Sequence, residues 1–185
     1  MLVNERIWIE KKPGFTTEAE ELKNELKENL HISVSNLRYF ALYDVFNIEA
    51  SLLEEAKKTV FSEVMVDREE QPELTGKSFV AYESLPGQYD QRADAAMQCI
   101  RLLDPKDNCS VTTGKVVLFD EVLSEEQLKA IASYLINPIE SRIKDLNKME
   151  IDRNVDVTPL EEYPNFISYS DEELHQFIKD KGLAM

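Results

Sequence analysis

The densest run of groups able to do chemistry is Gln88, Asp90, Gln91, Arg92 and Asp94, between a Pro86-Gly87 turn and a stretch of helical apolar periodicity. Two carboxylates, two amides and a guanidinium would then stand at a helix start, where free backbone N–H groups and the positive end of the dipole favour an anion. Arg92 is the odd member. The dipole does not help a cation there, so its guanidinium needs a carboxylate or a phosphate to meet. An ion pair with Asp90, Asp94 or a residue across the molecule would serve, and so would an anionic ligand or another domain. These five are the candidate contact residues, and no catalytic or metal-binding residue is assigned.

Other reactive types read as structural. Cys99, between Met97 and Ile100 on the same helix, is expected to be a buried thiol, and Cys109 falls in the polar loop DNCSV. Neither has metal or disulfide spacing, and neither sits in a motif that would generate a thiolate nucleophile. His31 belongs to a turn and His175 to a solvated helix face. The pairs Glu54-Glu55, Glu125-Glu126 and Glu172-Glu173 are expected in first turns of helices, where they complement the dipole. Trp8, Tyr39, Phe40, Tyr82 and Phe119 lie on strand-like segments and read as packing residues. No Gly-rich phosphate loop, HExxH or CxxC motif occurs.

The chain has 185 residues, with 21 Lys plus Arg against 36 Asp plus Glu, a formal charge of −15. A chain of this length buries roughly 70% of its unfolded surface, enough for a real core. The acidity repels nucleic-acid phosphates and anionic membranes, so neither is expected as a partner. No run approaches the roughly 18 apolar residues of a membrane helix, and MLVNERIWIE is not a signal peptide. The chain reads as cytoplasmic.

The elements that would position these groups fall into two similar sets. Residues 3–10 alternate as a strand, stopped at Lys11-Lys12-Pro13-Gly14. Thr17 and Glu20 have capping-box spacing ahead of a helix carrying Ala19, Leu22, Leu26 and Leu30. A second strand runs from Leu37 to Tyr43, bounded by Asp44. Ser51 and Glu54 open a second helix with Leu52, Leu53, Ala56 and Val60 buried, and Val64-Met65-Val66 suits an edge strand. After an acidic link, 67–76, the pattern repeats: a strand over 77–83, the Pro86-Gly87 turn, a helix over 90–103 with Ala93, Ala96, Met97, Ile100 and Leu103 inward, a strand over 115–119, and a helix over 124–135 opened by Ser124 and Gln127. The two Pro-Gly pairs stand 73 positions apart, from Pro13 to Pro86.

The expected fold is therefore α+β: tandem duplicated ferredoxin-like β-α-β-α units, 1–66 and 77–142, forming a pseudo-dimer with helices packed on an antiparallel sheet. The face left bare by the helices is expected to meet the second copy, as two sheets or one continuous sheet. Residues 143–185 should run as an extended tail ending in a short helix, with Ser170 and Glu173 at its start and Gly182 as its stop.

Several stretches carry a resemblance. YESLPGQYDQRADAAMQCIRLL, VVLFDEVLSEEQL and YLINPIESR, with RIWIEKKPGF and YDVFNIEASLLEEAKKTVFSE before them, resemble the N-terminal region of the large form of phosphoribosylformylglycinamidine synthase. That family of purine-biosynthetic glutamine amidotransferases converts formylglycinamide ribonucleotide, glutamine and ATP into formylglycinamidine ribonucleotide, ADP, phosphate and glutamate, with Mg²⁺. The resemblance implies a noncatalytic accessory segment, similar to a fused dimer of the small accessory subunit of the multi-subunit form. FISYSDEELHQFIKDKGLAM resembles the start of the family's helical linker domain. The chain would then be a truncated N-terminal piece of a longer enzyme. Its partners would be downstream synthetase and glutaminase domains, or a second copy through the surfaces those domains cover. ATP and magnesium would belong to the parent enzyme, with no cofactor in this segment. The alternative is a free-standing ferredoxin-like regulatory domain that binds a small anionic metabolite at Gln88 to Asp94.

Overall fold

The computed structural model describes residues 1–151, 162–163 and 165–180. It divides into a larger unit, Met1–Asn154, and a smaller one, Val155–Met185. The larger unit carries β1 (Leu2–Lys11), α1 (Thr17–Leu30), β2 (Leu37–Glu49), α2 (Ala50–Thr59), β3 (Asp67–Glu69), β4 (Ser78–Ser84), α3 (Gln91–Leu103), β5 (Ser110–Phe119), α4 (Glu125–Leu135) and β6 (Ser141–Ile143). Its six strands form one antiparallel sheet in the order β3-β1-β2-β5-β4-β6. The fold is α+β, compatible with ferredoxin-like units. The centre of the sheet is the β2–β5 pair, in register from Leu37↔Phe119 to Phe46↔Ser110.

Side chains alternate across a sheet, so residues of one parity share a face. On one face Ile7, Ile9, Tyr43 and Val45 pack with Leu53 and Ala56 of α2 and with Ala93, Ala96 and Ile100 of α3. Leu37, Val80, Val117 and Phe119 pack with Leu22 and Leu26 of α1 and Ile131 of α4. All four helices thus cover one face. The opposite face carries Trp8, Phe40, Leu42, Ala81, Val116 and Leu118, buried under Leu74 and Leu146. Trp8 and Phe40 meet edge to face at 5.7 Å. Of the two arrangements expected, two sheets or one continuous sheet, the strands form the continuous sheet, joined at β2 and β5. Among the described residues it is Leu74 of the link and Leu146 after β6 that pack on the face away from the helices.

Charge flanks this second apolar layer. At one end Asp44, 1% exposed, accepts from Arg6 at 2.5 and 2.8 Å and lies 3.0 Å from the Lys144 ammonium. Lys144 also donates to Glu83, which pairs with Arg142. Arg6 further donates to the carbonyls of Leu146 and Lys148, so the segment after β6 is bound down along the sheet. Asp44 was expected to end its strand. It sits inside β2 instead, because two cations on neighbouring segments, Arg6 and Lys144, accommodate its charge and the strand continues to Glu49.

Other local expectations shift for identifiable reasons. The capping box forms in full at Ser124/Gln127, with bonds of 3.2 and 3.0 Å, and Ser170 and Glu173 exchange the same pair at 3.3 and 2.7 Å. It does not form at Thr17/Glu20. Thr16 is the N-cap, and its hydroxyl donates to the Glu20 carboxylate at 2.9 Å. Nor does it form at Ser51, because pairing with β1 keeps β2 extended through Glu49 and the helix begins at Ala50 without a loop. Glu54 and Glu55 consequently lie past the first turn. The edge strand expected at Val64–Val66 forms at Asp67–Glu69 instead, and Val64 and Met65 are exposed. β6, a strand not expected from the sequence, straddles the expected start of the tail at residue 143 and pairs with Tyr82–Ser84 of β4.

In the smaller unit, a single 3₁₀ turn, Phe166–Ser168, precedes α5 (Asp171–Asp180). Phe177 of α5 packs edge-on against Tyr163, Phe166 and Tyr169. The expected stop at Gly182 lies outside the described residues. Among the described residues no helix is long and apolar enough to cross a membrane.

Candidate functional site

The start of α3 is built from a type II turn. Pro86 supplies the fixed φ, Gly87 takes φ +85°, and the Gln88 N–H closes the turn on the Leu85 carbonyl at 3.1 Å. Lys12-Pro13-Gly14-Phe15 makes the same turn ahead of α1, with Gly14 at φ +92° and Phe15 N–H on Lys12 at 3.0 Å. Only glycine takes that φ without strain.

Asp90 is the N-cap of α3. One carboxylate oxygen accepts from Ala93 N–H at 2.9 Å. The other accepts from the Thr113 N–H and hydroxyl at 3.1 and 2.8 Å, tying the helix start to β5. Asp94 accepts from Tyr89 Oη at 2.8 Å and Gln98 at 2.7 Å. Gln88 reaches the Ile139 carbonyl at 3.4 Å. Gln91 and Arg92 are exposed, and Arg92 has no hydrogen bond or ion pair with a described residue. No side chain of the five bonds to another of their side chains; Asp90 and Asp94 meet only through the backbone, Asp94 N–H on the Asp90 carbonyl at 3.0 Å. The anticipated pairing of Arg92 with Asp90 or Asp94 is absent because both carboxylates already serve backbone and side-chain donors. A shallow cleft of about 170 Å³ adjoins the turn, lined among others by Glu83, Asp90, Thr113 and Arg142.

Cys99, expected to be buried, is not. Cys99 is exposed, since α3 turns Ala93, Ala96 and Ile100 inward and leaves residue 99 on the outer side. Leu103, at the inward spacing, is still 38% exposed because it is the last residue of α3. Cys109 is buried at the start of β5, and burial together with Asp107 pushes its thiol up to about 12, which suppresses the thiolate. His31 terminates α1 at φ +56°, and the His175 ring contacts the Asp171 carbonyl at 2.7 Å. Among the described residues no three metal-ligating side chains converge.

A larger cleft, about 460 Å³, opens in the first half and was not anticipated. It lies where β2 runs past its last pairing with β1, Glu10↔Phe40, leaving Leu37–Tyr39 beside the Pro13-Gly14 turn and the first turns of α1. Glu10, 6% exposed, receives bidentate bonds from Arg38 at 2.8 and 2.5 Å and two more from Arg68 at 2.9 and 2.6 Å. Burial works against the charge of Glu10, but the two guanidiniums outweigh it and hold the carboxyl below its usual range. Hydrogen bonding to Glu10 raises Arg38 above its already high value. Tyr39, on the other face of β2, bonds Tyr82 Oη at 3.2 Å, and burial raises both phenols. The signal was present as charged residues of one parity, Arg38 beside Phe40 and Glu10 beside Trp8, but parity alone does not pair residues distant in sequence.

No known family model matches the chain, and no curated protein matches it.

Proposed function

We propose that this chain is the noncatalytic N-terminal scaffold segment of a phosphoribosylformylglycinamidine synthase. It would hold downstream synthetase and glutaminase domains, with ATP and magnesium bound by the parent enzyme and not by this segment. The reading rests on the sequence resemblance and on one architectural observation. The strand order β3-β1-β2-β5-β4-β6 is unchanged when β1, β2 and β3 are exchanged for β4, β5 and β6 and the order is reversed. The spacing agrees with this exchange. Leu37 and Ser110, which open β2 and β5, are 73 apart, as are Pro13 and Pro86, and Thr17 and Gln91, which open α1 and α3, are 74 apart. Both observations support reading the chain as a tandem duplication folded as a pseudo-two-fold pair of ferredoxin-like units.

The test is reconstitution. The purified chain should show no glutamine hydrolysis and no ATP-dependent amidination of formylglycinamide ribonucleotide. Added to a synthetase–glutaminase portion lacking this segment, it should form a complex by gel filtration and restore ammonia transfer. Turnover by the chain alone, or failure of the two portions to associate, overturns the reading.

Arg92, with no partner among the described residues, favours the second reading, a regulatory domain for an anionic metabolite. That reading requires calorimetric heat on titration with formylglycinamide ribonucleotide, lost in Arg92→Ala, and it falls if no heat is seen.

A further inference from the structure

Near the start of α3 the fold leaves hydrogen-bond donors without an acceptor. The Arg92 guanidinium is exposed and bonds to no described residue. The Tyr43 side chain is buried, 9% exposed, yet its hydroxyl makes no hydrogen bond with a described residue. That oxygen is not sealed in, since the enclosed side-chain atoms lacking a hydrogen bond among the described residues are Asp67 Oδ1 and Thr112 Oγ1. A buried phenol normally finds a partner for its hydroxyl, so an open one asks for an acceptor from outside the fold.

The strand register brings the two donors to one place. Tyr43 of β2 pairs across the sheet with Thr113 of β5, and Thr113 holds the Asp90 cap of α3. Arg92 stands two residues after that cap. Burial raises the Tyr43 phenol, and of the charges that act on it Arg92 acts most strongly, lowering it, ahead of Asp67, Asp90 and Lys11. Phe61 packs on the ring at 4.9 Å and fixes its direction.

The neighbouring carboxylates are already engaged. Asp90 accepts from Ala93 and Thr113, Asp94 from Tyr89 and Gln98, and Asp67 accepts from the Glu63 N–H at 2.9 Å and lies 2.7 Å from the Lys11 ammonium. At the 74-residue spacing that separates Thr17 from Gln91, Glu18 and Val117 take the places of Arg92 and Tyr43, so the guanidinium and the phenol are absent together there. One negative charge suits the place better than two, because Asp67 and Asp90 act on the same spot and repel a dianion about twice as strongly. A carboxylate also matches the parallel N–H groups of a guanidinium, and the positive end of the α3 dipole adds to the attraction.

We propose that the start of α3 and Tyr43 together bind the carboxylate of a small organic acid, bidentate on the Arg92 guanidinium, with the Tyr43 hydroxyl donating to one of its oxygens. The inference rests on the second reading for its location and names the chemistry of the ligand.

NMR titration of the full chain at low salt with acetate, acetamide and inorganic phosphate tests this. Acetate should shift the Arg92 Nε–Hε signal, identified by its loss in Arg92→Gln, with a Kd below about 20 mM, and acetamide, its neutral isostere, should not. Inorganic phosphate should bind at least about threefold more weakly. Tyr43→Phe should weaken acetate at least about fivefold and leave the urea midpoint unchanged, because the hydroxyl bonds nothing within the fold. Lys129→Gln, on the exposed side of α4, should leave binding as it was. The proposal is overturned if acetate does not saturate by about 100 mM, if acetamide or phosphate binds as tightly, or if Tyr43→Phe binds acetate like wild type. A lowered urea midpoint in Tyr43→Phe overturns it too, since the hydroxyl would then already have a partner. Formylglycinamide ribonucleotide carries a phosphate and no carboxylate, so heat with that compound but no acetate binding overturns this inference and leaves the second reading standing, and acetate binding without such heat does the reverse.

Discussion

Gly114 lies in β5 where Lys144 crosses the sheet, and replacing it with alanine probes the buried ion cluster without touching a charge. An added Cβ would stand 2.8 Å from Lys144 Cδ and 3.1 Å from the Tyr82 carbonyl oxygen. A lysine stem usually swings aside at little cost. This one is anchored, because Lys144 is 5% exposed, its ammonium sits 3.0 Å from Asp44 and 2.5 Å from Glu83, and its backbone N–H bonds the Ala81 carbonyl at 2.9 Å. Overpacking of this kind costs about 1–3 kcal/mol, and the reduced freedom of the unfolded chain returns about 0.4–1 kcal/mol, leaving Gly114→Ala destabilising by about 1–2 kcal/mol. With a urea slope of about 2 kcal/mol/M, the unfolding midpoint should fall by roughly 0.5–1 M. The decisive assay is a double-mutant cycle with Lys144→Ala. If the anchored stem is the cause, Gly114→Ala should be near neutral in that background, a coupling of at least about 1 kcal/mol. Equal destabilisation in both backgrounds refutes the reasoning.

Asp90→Ala should cost about 1–2 kcal/mol, because the helix cap and the link to Thr113 are lost together, whereas Arg92→Ala should stay within about 0.5 kcal/mol; thermal unfolding separates them, at roughly 2–4 °C per kcal/mol. A thiol reagent should modify one equivalent rapidly in the native chain, and Cys99→Ser should abolish that phase, since Cys109 is buried and its thiol is pushed up to about 12. Glu10 has a folded pKa below its unfolded value of 4.5, so its stabilisation is complete above that value and is lost as pH falls through the folded pKa. Glu10→Gln should therefore lower stability by about 1.5–3 kcal/mol near pH 7, and the gap from wild type should close in acid, as followed by urea midpoints between pH 7 and pH 3.

Periodicity and caps were legible where the local signal had no competitor. Ser124 and Gln127 cap α4 as their spacing requires, and Ala93, Ala96 and Ile100 face the core. The same spacing at Ser51 and Glu54 failed because pairing between β1 and β2 outlasts it, and Asp44 was misjudged because its partners Arg6 and Lys144 are 38 and 100 positions away. At the candidate site, the sequence marked Asp90 as a helix start but could not show that Thr113 would occupy it. The larger cleft was invisible, since it depends on where β1 stops pairing with β2 and on Arg68 arriving from β3.

By itself, then, the sequence determined the α+β composition, the two Pro-Gly turns, the inward faces of the helices and an acidic surface. These follow from near neighbours along the chain: φ at a glycine, a cap and its N–H, a repeat of two or about 3.6 residues. The tertiary structure decided which strands meet at the centre, which charges are buried together and which helix start is left open. Those outcomes depend on pairing energies between residues a hundred positions apart, and a buried carboxylate is tolerated only where such pairing delivers its cation.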